Sequence, residues 1–390
     1  MRVVISATSK FHSLDLAREL QRREALEAIF SGYPKFKLRS EALNVRKIKT
    51  FPYFHASYMA LSRYSLLGND PWDVWGNFVL STFDRYVAAN LPNCEIFCGQ
   101  SGSSLRTGQI AKSRGIRYIC DRGPSHIRRQ DQILRDEFEL WGAVFSGIDE
   151  RIMEREEAEY QIADLVTVPS KFAFQSFVEF GVPQEKMRLL PYGVDQTVFY
   201  PDGRPKTEQF NVLFVGAVSL QKGIPYLIRA FDKVEHPKKT LTLAGSIDRQ
   251  LKALLKRHNI SVDEVEILGH VQKSDLKKLM SESHVLVLPS VQDGFGLVLA
   301  EAMACGCPVI GTNNTGAPDL VTDGENGFVV PIRNVDELAH KLQFLADDPD
   351  KRAEMGEKAL LRVSRDMGWS RYGDAFLEAC QSIAQPSIAC

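Results

Sequence analysis

Short apolar runs bounded by turn residues alternate along this 390-residue chain with segments whose apolar positions recur every three or four residues. "RVVISAT" reads as an opening strand, and "SLDLARELQRRE" follows with helical spacing at Leu14, Ala17 and Leu20. "CEIFCG", "IRYICDRG" and "ADLVTVPS" are further predicted strands in the first half. The second half gives "FNVLFVGA", "KTLTLAGS", "VEILGHV", "HVLVLPS", "CPVIGT" and "GFVVP". Helical patterns such as "GIPYLIRAFDKVE", "SDLKKLMSES", "GLVLAEAMACG" and "VDELAHKLQFLADD" separate most of these. Near-continuous Val, Ile and Leu strands alternating with helices predict parallel sheets covered on both faces. Two such units in series predict an α/β protein of two doubly wound, Rossmann-like domains. The boundary is expected in "PYGVDQTVFYPDGRPKTEQF", where five Pro and Gly residues interrupt structure. That gives domains over residues 1–195 and 196–371.

Composition narrows the class. The chain is 44% hydrophobic and 25% charged with a net charge of -1, which argues against disorder and against nucleic acid as a partner. Seven cysteines are few and odd in number, and neither Cys94/Cys98 nor Cys305/Cys307 has the spacing of a four-ligand zinc site. A reduced, cytoplasmic protein is expected. "MRVVIS" has no charged leader before its apolar residues, so a signal peptide is not expected. No run reaches the ~18 apolar residues of a membrane span. "ADDPDK" is expected to end one helix and cap the next, because Asp favours those positions.

The chemistry concentrates in the second half. In "VGAVSLQKG" a strand ends at Gly216, a loop carries Ser219, and Lys222 and Gly223 open a helix with Pro225 in its first turn. Such a turn brings backbone N–H groups and a helix dipole to an anion, and a lysine adds a point charge suited to phosphate. A solvated lysine at a helix start is the plainer reading of that residue alone. In "PSVQDGFGLVLAEAMACGCPVIGT", Asp293 stands on a glycine turn and Glu301 lies eight residues on. Gly294 and Gly296 are expected to clear space beside the helix, whose stop falls at Gly306. On a helix, eight residues span roughly 12 Å. That is too far for one metal ion, and it exceeds the ~5–9.5 Å between the carboxyls of a glycosidase. It suits the two ends of one long ligand. A helix cap and an exposed helix acid are the structural alternatives for the two residues.

"DGFGLVLAEAMACGCPVIGT" resembles the acid-x7-Glu signature of the retaining glycosyltransferases of family 4, which have the GT-B fold of two facing Rossmann-like domains across a deep cleft. "FVGAVSLQKGIPYLIRAF" is similar to the family's phosphate-binding segment, and "VEILGHVQKSDLKKLMSESHVLVLPS" to its nucleotide-base segment. "GAPDLVTDGENGFVVP" and the segment from Glu154 to Pro201 also find counterparts there. The resemblance implies a nucleotide-diphosphate sugar as co-substrate and no metal or other cofactor. It implies Glu301 on the ribose hydroxyls, Asp293 on the donor sugar, and the N–H groups of Phe295, Gly296 and Leu297 nearby. Lys222 would neutralise the diphosphate, with Gly216 and Ser219 in the same loop, and the backbone of His270 and Val271 would line the base pocket. Retention in the family is explained by front-face attack, with the leaving phosphate accepting the acceptor's proton. Three departures stand out. The first signature acid is Asp293 where the family usually has Glu, Ala217 stands where it usually has Arg, and "ATSKFHS" lacks the glycines common after the first strand.

For the first half, the resemblance makes His126 in "CDRGPSHIRRQ" the candidate for a catalytic histidine reaching across the cleft. Arg122 and His12 are further acceptor-side candidates. Residues 33–64 hold seven Lys/Arg against Glu41, interleaved with aromatics. This is either a solvated loop or a peripheral contact with anionic lipid beside a lipid-linked acceptor. The last helix, over about residues 372–390, is expected to cross back onto the first domain near Trp369 to Tyr372. The leading expectation is a sugar transferase acting on a glycan or lipid-linked acceptor. A nucleotide-sugar-binding protein with impaired catalysis, and a sugar-nucleotide epimerase or phosphorylase, are the alternatives. An NAD-type oxidoreductase is disfavoured because neither first strand-to-helix turn has the G-x-G-x-x-G spacing.

Overall fold

A computed structural model describes residues 1–54 and 69–384. Residues 55–64 of the basic segment and 385–390 of the expected terminal helix therefore lie outside the described residues. Two parallel sheets form. The first has seven strands: β1 (Val3–Ala7), β2 (Leu26–Ser31), β3 (Ile48–Thr50), β4 (Ile96–Gln100), β5 (Arg117–Asp121), β6 (Leu165–Val168) and β7 (Met187–Leu189). Their spatial order is β3-β2-β1-β4-β5-β6-β7. The second has six: β8 (Phe210–Val215), β9 (Lys239–Ala244), β10 (Val265–Ile267), β11 (Val285–Leu288), β12 (Val309–Thr312) and β13 (Gly327–Val330). Their order is β10-β9-β8-β11-β12-β13. Each sheet reverses direction once, between β1 and β4 and between β8 and β11. Among the central strands, β1 and β11 are buried end to end, as the apolar runs require of a sheet with helices on both faces.

The sequence pattern anticipated every strand of the second sheet. In the first it missed β2, β3 and β7. The last two are three-residue edge strands carrying Lys49 and Arg188, too short and too polar to leave a pattern. The helix Asn69–Asn90 was also not anticipated. Asp348 ends one helix and caps the next by accepting the Lys351 N–H, as "ADDPDK" predicts.

The segment between the sheets passes beneath the start of the last helix, Trp369–Ala384. The Val194 N–H donates to the Met367 carbonyl at 2.7 Å. That helix packs back on the helix His12–Arg22, where the Arg23 guanidinium bonds Asp374 at 2.8 Å and the Ser370 carbonyl at 2.7 Å. Away from this hinge a second join forms. The fully buried Glu137 carboxylate accepts from the Trp141 indole (2.9 Å), the Tyr226 hydroxyl (2.9 Å) and Arg333 Nε (2.7 Å), tying first-domain to second-domain residues. No described helix is long and apolar enough to cross a membrane.

Candidate functional site

In open parallel sheets, ligands bind beyond the carboxyl ends of the strands where the order reverses. In the second domain that crevice lies after β8 and β11, the loops carrying Lys222 and Asp293. Gly223 stands between Lys222 and the helix Ile224–Asp232 with φ +69°, and a Cβ there would sit 2.0 Å from the Pro289 carbonyl oxygen. Only glycine lets the two loops close to this degree, and their closure brings Lys222 Nζ to 2.5 Å from Asp293 Oδ2. Both side chains remain about one-fifth exposed (22% and 19%), so the pair faces the cleft. An ammonium that is one-fifth exposed and held by a single carboxylate has the chemistry to take an anion such as a phosphate in the carboxylate's stead. Gly216 and Ser219 lie half-buried in this loop, and Ala217 is exposed.

Of the residues after Asp293, the structure assigns different work from that expected. A Cβ on Gly294 would lie 1.9 Å from the Gly123 carbonyl oxygen, so the space it was expected to clear for a ligand is taken by first-domain backbone. Ser170 Oγ donates to the Gly294 carbonyl at 2.5 Å, and Gln292 Nε2 to Ser125 Oγ at 3.3 Å. The domains therefore touch directly beside Asp293. The Phe295 ring is buried against Tyr192, with centroids 5.3 Å apart. Gly296 (φ +75°) caps the helix Leu297–Ala304, which begins four residues after Asp293.

From that helix Glu301 lines an interdomain cavity of about 770 Å³, together with Leu297, Lys273, His12 and Asp15. Burial pushes the Glu301 carboxyl up to about 7, with Lys273 pulling it down and Asp15 across the cavity adding to the rise. His270 is exposed and Val271 half-buried, just ahead of the helix Lys273–Ser281.

The first-domain wall differs from expectation at two residues. His126 caps the helix Ile127–Leu140, its Nδ1 accepting from the Arg128 N–H at 3.3 Å. Its ring stacks on Phe180 at 4.6 Å and meets Tyr160 and Phe177, lining a cavity made wholly of first-domain residues. Burial lowers its pKa to about 4, keeping it neutral. The cross-cleft role expected of His126 is thus not what its position provides. Arg122 is likewise corrected. Its guanidinium is buried and paired with Glu156 at 2.5 Å, with Nε on the Ser125 carbonyl and Nη2 on Gln130. Both residues follow β5, one strand beyond the reversal.

His12 does follow β1, at the reversal. Its Nε2 lies 2.5 Å from Asp121 Oδ2, and Thr167 Oγ1 donates to the other Asp121 oxygen at 2.8 Å. The imidazole stacks on Tyr192 at 4.2 Å, with planes 22° apart. Tyr192 was missed by sequence reasoning. Its place in the Pro- and Gly-punctuated segment between the domains was the available signal. The loop after β4, "GQSGSSLR", is closed to anions, because Glu159 accepts the Gly102 and Ser104 N–H groups at 2.6 and 2.8 Å. Burial and Glu156 push that carboxyl up to about 8. Of the basic segment, the described part exposes Phe36 (65%), Val45 (57%) and Tyr53 (73%) among its lysines and arginines. Among the described residues no three His, Cys, Asp or Glu side chains gather as a metal-ligand set.

Comparison with known proteins adds three findings. Residues 196–362 match the family model of glycosyl transferases group 1. A D-inositol 3-phosphate glycosyltransferase of Arthrobacter sp. (strain FB24) is 29% identical over 255 residues, covering 60% of each chain. A glycogen synthase of Mycobacterium tuberculosis is 29% identical over 216 residues, covering 53% of this chain and 52% of that protein. The chain thus spans little more than half the length of these relatives. Among solved structures, the sucrose-phosphate synthase of Thermosynechococcus elongatus superposes with a TM-score of 0.74 at 19% identity, over 98% of this chain and 99% of that one. HepE of Anabaena in complex with UDP-glucose gives 0.69 at 18% identity, over 98% and 100%. The fold is therefore GT-B across nearly the whole chain.

Proposed function

We propose that this chain, whose residues 196–362 match the family model of glycosyl transferases group 1, moves a sugar from a nucleotide-diphosphate sugar, of the UDP or GDP type, to a glycan or lipid-linked acceptor in polysaccharide or glycoconjugate synthesis. The observation that carries this reading is the pairing of Lys222 with Asp293 at one end of the crevice while Glu301 lines the interdomain cavity. A diphosphate takes Lys222 from Asp293. The freed carboxylate then accepts from the donor sugar's hydroxyls, and Glu301 accepts from the ribose hydroxyls. Stabilising the departing diphosphate is the main electrostatic task, and Lys222 with the helix N-termini supplies the positive field, so no metal is invoked. Transfer with retention, by attack on the face the phosphate leaves, belongs to the same reading. The complex of HepE with UDP-glucose, on the same fold, supports a nucleotide sugar as the donor.

Thermal-shift screening against UDP-, GDP- and ADP-sugars tests the donor. A rise in melting temperature with one base class supports the reading, and none with any class contradicts it. Nucleotide-sugar binding without turnover would instead favour the impaired-enzyme alternative, to which Ala217 and the short arm of Asp293 lend weight. The exposed Phe36, Val45 and Tyr53 among basic residues support a peripheral membrane contact at the cytoplasmic face. Flotation with and without anionic lipid tests it, and the absence of salt-sensitive binding would remove it.

A further inference from the structure

The join at Glu137 is chemically unlike an ordinary packed contact between domains. Glu137 lies on the first-domain helix Ile127–Leu140 and is 0% exposed. Its Oε1 accepts from Trp141 Nε1 and from the Tyr226 hydroxyl, each at 2.9 Å, and its Oε2 accepts from Arg333 Nε at 2.7 Å. The Arg229 guanidinium lies 4.8 Å over the Trp141 ring, and the His258 ring meets its edge at 4.9 Å. A first-domain carboxylate and indole are thus enclosed by second-domain side chains. Apolar residues would join two domains at least as firmly, so what a buried ion pair adds here is register, with a penalty when one partner leaves. Two costs fall on Arg333. Its φ is +63°, a left-handed backbone that is unfavourable for a residue with a side chain. Its Nη2 is buried without a hydrogen-bond partner. Parting of the domains lets water reach Nη2 and frees the loop from the carboxylate that holds it.

The second-domain partners belong to the donor site's own elements. Tyr226 lies in the first turn of the helix Ile224–Asp232, four residues after Lys222. Arg333 follows β13 at the carboxyl end of the same sheet. The neighbours of the site's two charged residues are tethered in the same direction. Gln221 Nε2 donates to Gln292 Oε1 at 2.8 Å, and Gln292 Nε2 donates to Ser125 Oγ in the first domain at 3.3 Å. We propose that Glu137 and Arg333 form a latch that couples domain closure to nucleotide binding. Both are positioning residues, which act on the diphosphate through the Tyr226 turn that carries Lys222. With the latch made, the Lys222 loop is held to the first domain and the cleft is closed over the nucleotide. With it broken, the domains part and the nucleoside diphosphate can leave. The inference rests on the nucleotide-sugar reading for its ligand, and it is independent of the face on which the sugar is attacked.

The test uses the full chain, with small-angle scattering for the domain arrangement and calorimetric titration with UDP and GDP as probes. Arg333→Asn removes the guanidinium and tolerates the left-handed backbone. Tyr226→Phe removes one hydroxyl and leaves the ring. Each should enlarge the radius of gyration of the nucleotide-free protein. Each should also raise the Kd for the nucleotide that the wild type binds by about tenfold, as when the closed form falls to about a tenth of the population. Saturating nucleotide should return the radius to the wild-type value, and Arg333→Lys, which keeps the charge, should lie between. A packing role alone would lower the melting temperature and leave the radius and Kd of the folded protein unmoved. An unchanged radius or an unchanged Kd in folded Arg333→Asn and Tyr226→Phe overturns the latch and leaves the transferase reading standing. If the wild type binds neither UDP nor GDP nor any sugar of the nucleotide panel, the transferase reading falls and takes the coupling with it.

Discussion

The two walls of the cleft use opposite means to present chemistry. On the second-domain wall, glycines draw loops together until Lys222 meets Asp293, and these charges stay partly exposed. On the first-domain side, Arg122 is buried on Glu156 and Glu159 fills the loop after β4, while Lys10, Asp15, Arg18 and Glu41 line the cavity as mutual ion pairs. The His12–Asp121 pair is buried behind this wall. One wall thus presents a single ion pair drawn together by glycine, and the other several ion pairs matched among themselves. The same residue types therefore carry different consequences on the two sides, and mutation can break the contrast.

The largest effect is expected at Lys222→Ala. It should cost about 10²–10³ in kcat, as for loss of a principal charge stabiliser, with weaker diphosphate binding and little change in melting temperature. On the other wall Arg122→Met should do the reverse. Stranding Glu156 in the core costs about 3–5 kcal/mol of stability, so the melting temperature falls while nucleotide affinity in the folded fraction is kept. Equal kinetic damage from both would erase the distinction. Next in size, Asp293→Ala should hurt turnover more than nucleotide affinity, because it frees Lys222 while removing the sugar's acceptor.

Glu301 gives a pH signature. Its carboxyl titrates near 7 in the fold against an ordinary 4.5, so the folded state holds the extra proton between those values. Stability should therefore fall as pH rises from about 4.5 to 7, by at most about 3 kcal/mol, and Glu301→Gln should flatten that decline. Donor affinity should rise over the same window, because ribose hydroxyls donate best to the ionised form. The smallest effect is expected from His126→Gln. Turnover should be unchanged, and the variant should lose the wild type's fall in stability between about pH 6.5 and 4, where the buried neutral ring resists a proton that the unfolded chain accepts.

The walls also differed in how much the sequence disclosed. Asp293 and Glu301 were legible because a strand, a glycine turn and a helix follow one another locally, so spacing fixes their relation, whereas Lys222, 71 residues before Asp293, was joined to them only by the family resemblance. Gly294 was legible as a residue of close approach. What approaches it, the Gly123 carbonyl, lies more than a hundred and fifty residues away in the chain and left no local mark. His126 and Arg122 shared a basic loop that looked suited to a ligand. Their withdrawal depends on Phe180, Tyr160 and Glu156, whose positions only the assembled sheet determines. Tyr192 gained its place over His12 from the crossing of the interdomain segment and the last helix, again a tertiary fact. The strands followed the same logic. The buried runs of the second sheet were plain, whereas the three-residue edge strands β3 and β7 were not.

The central claim is that one nucleotide sugar spans from the Lys222–Asp293 pair to Glu301. Calorimetric titration of wild type and Glu301→Ala with the nucleotide diphosphate chosen by the thermal-shift panel tests it most directly. The account predicts saturable binding to the wild type and a Kd raised about 10–100-fold by the substitution, the loss of hydrogen bonds to a charged acceptor. An identical Kd in the two proteins would contradict it.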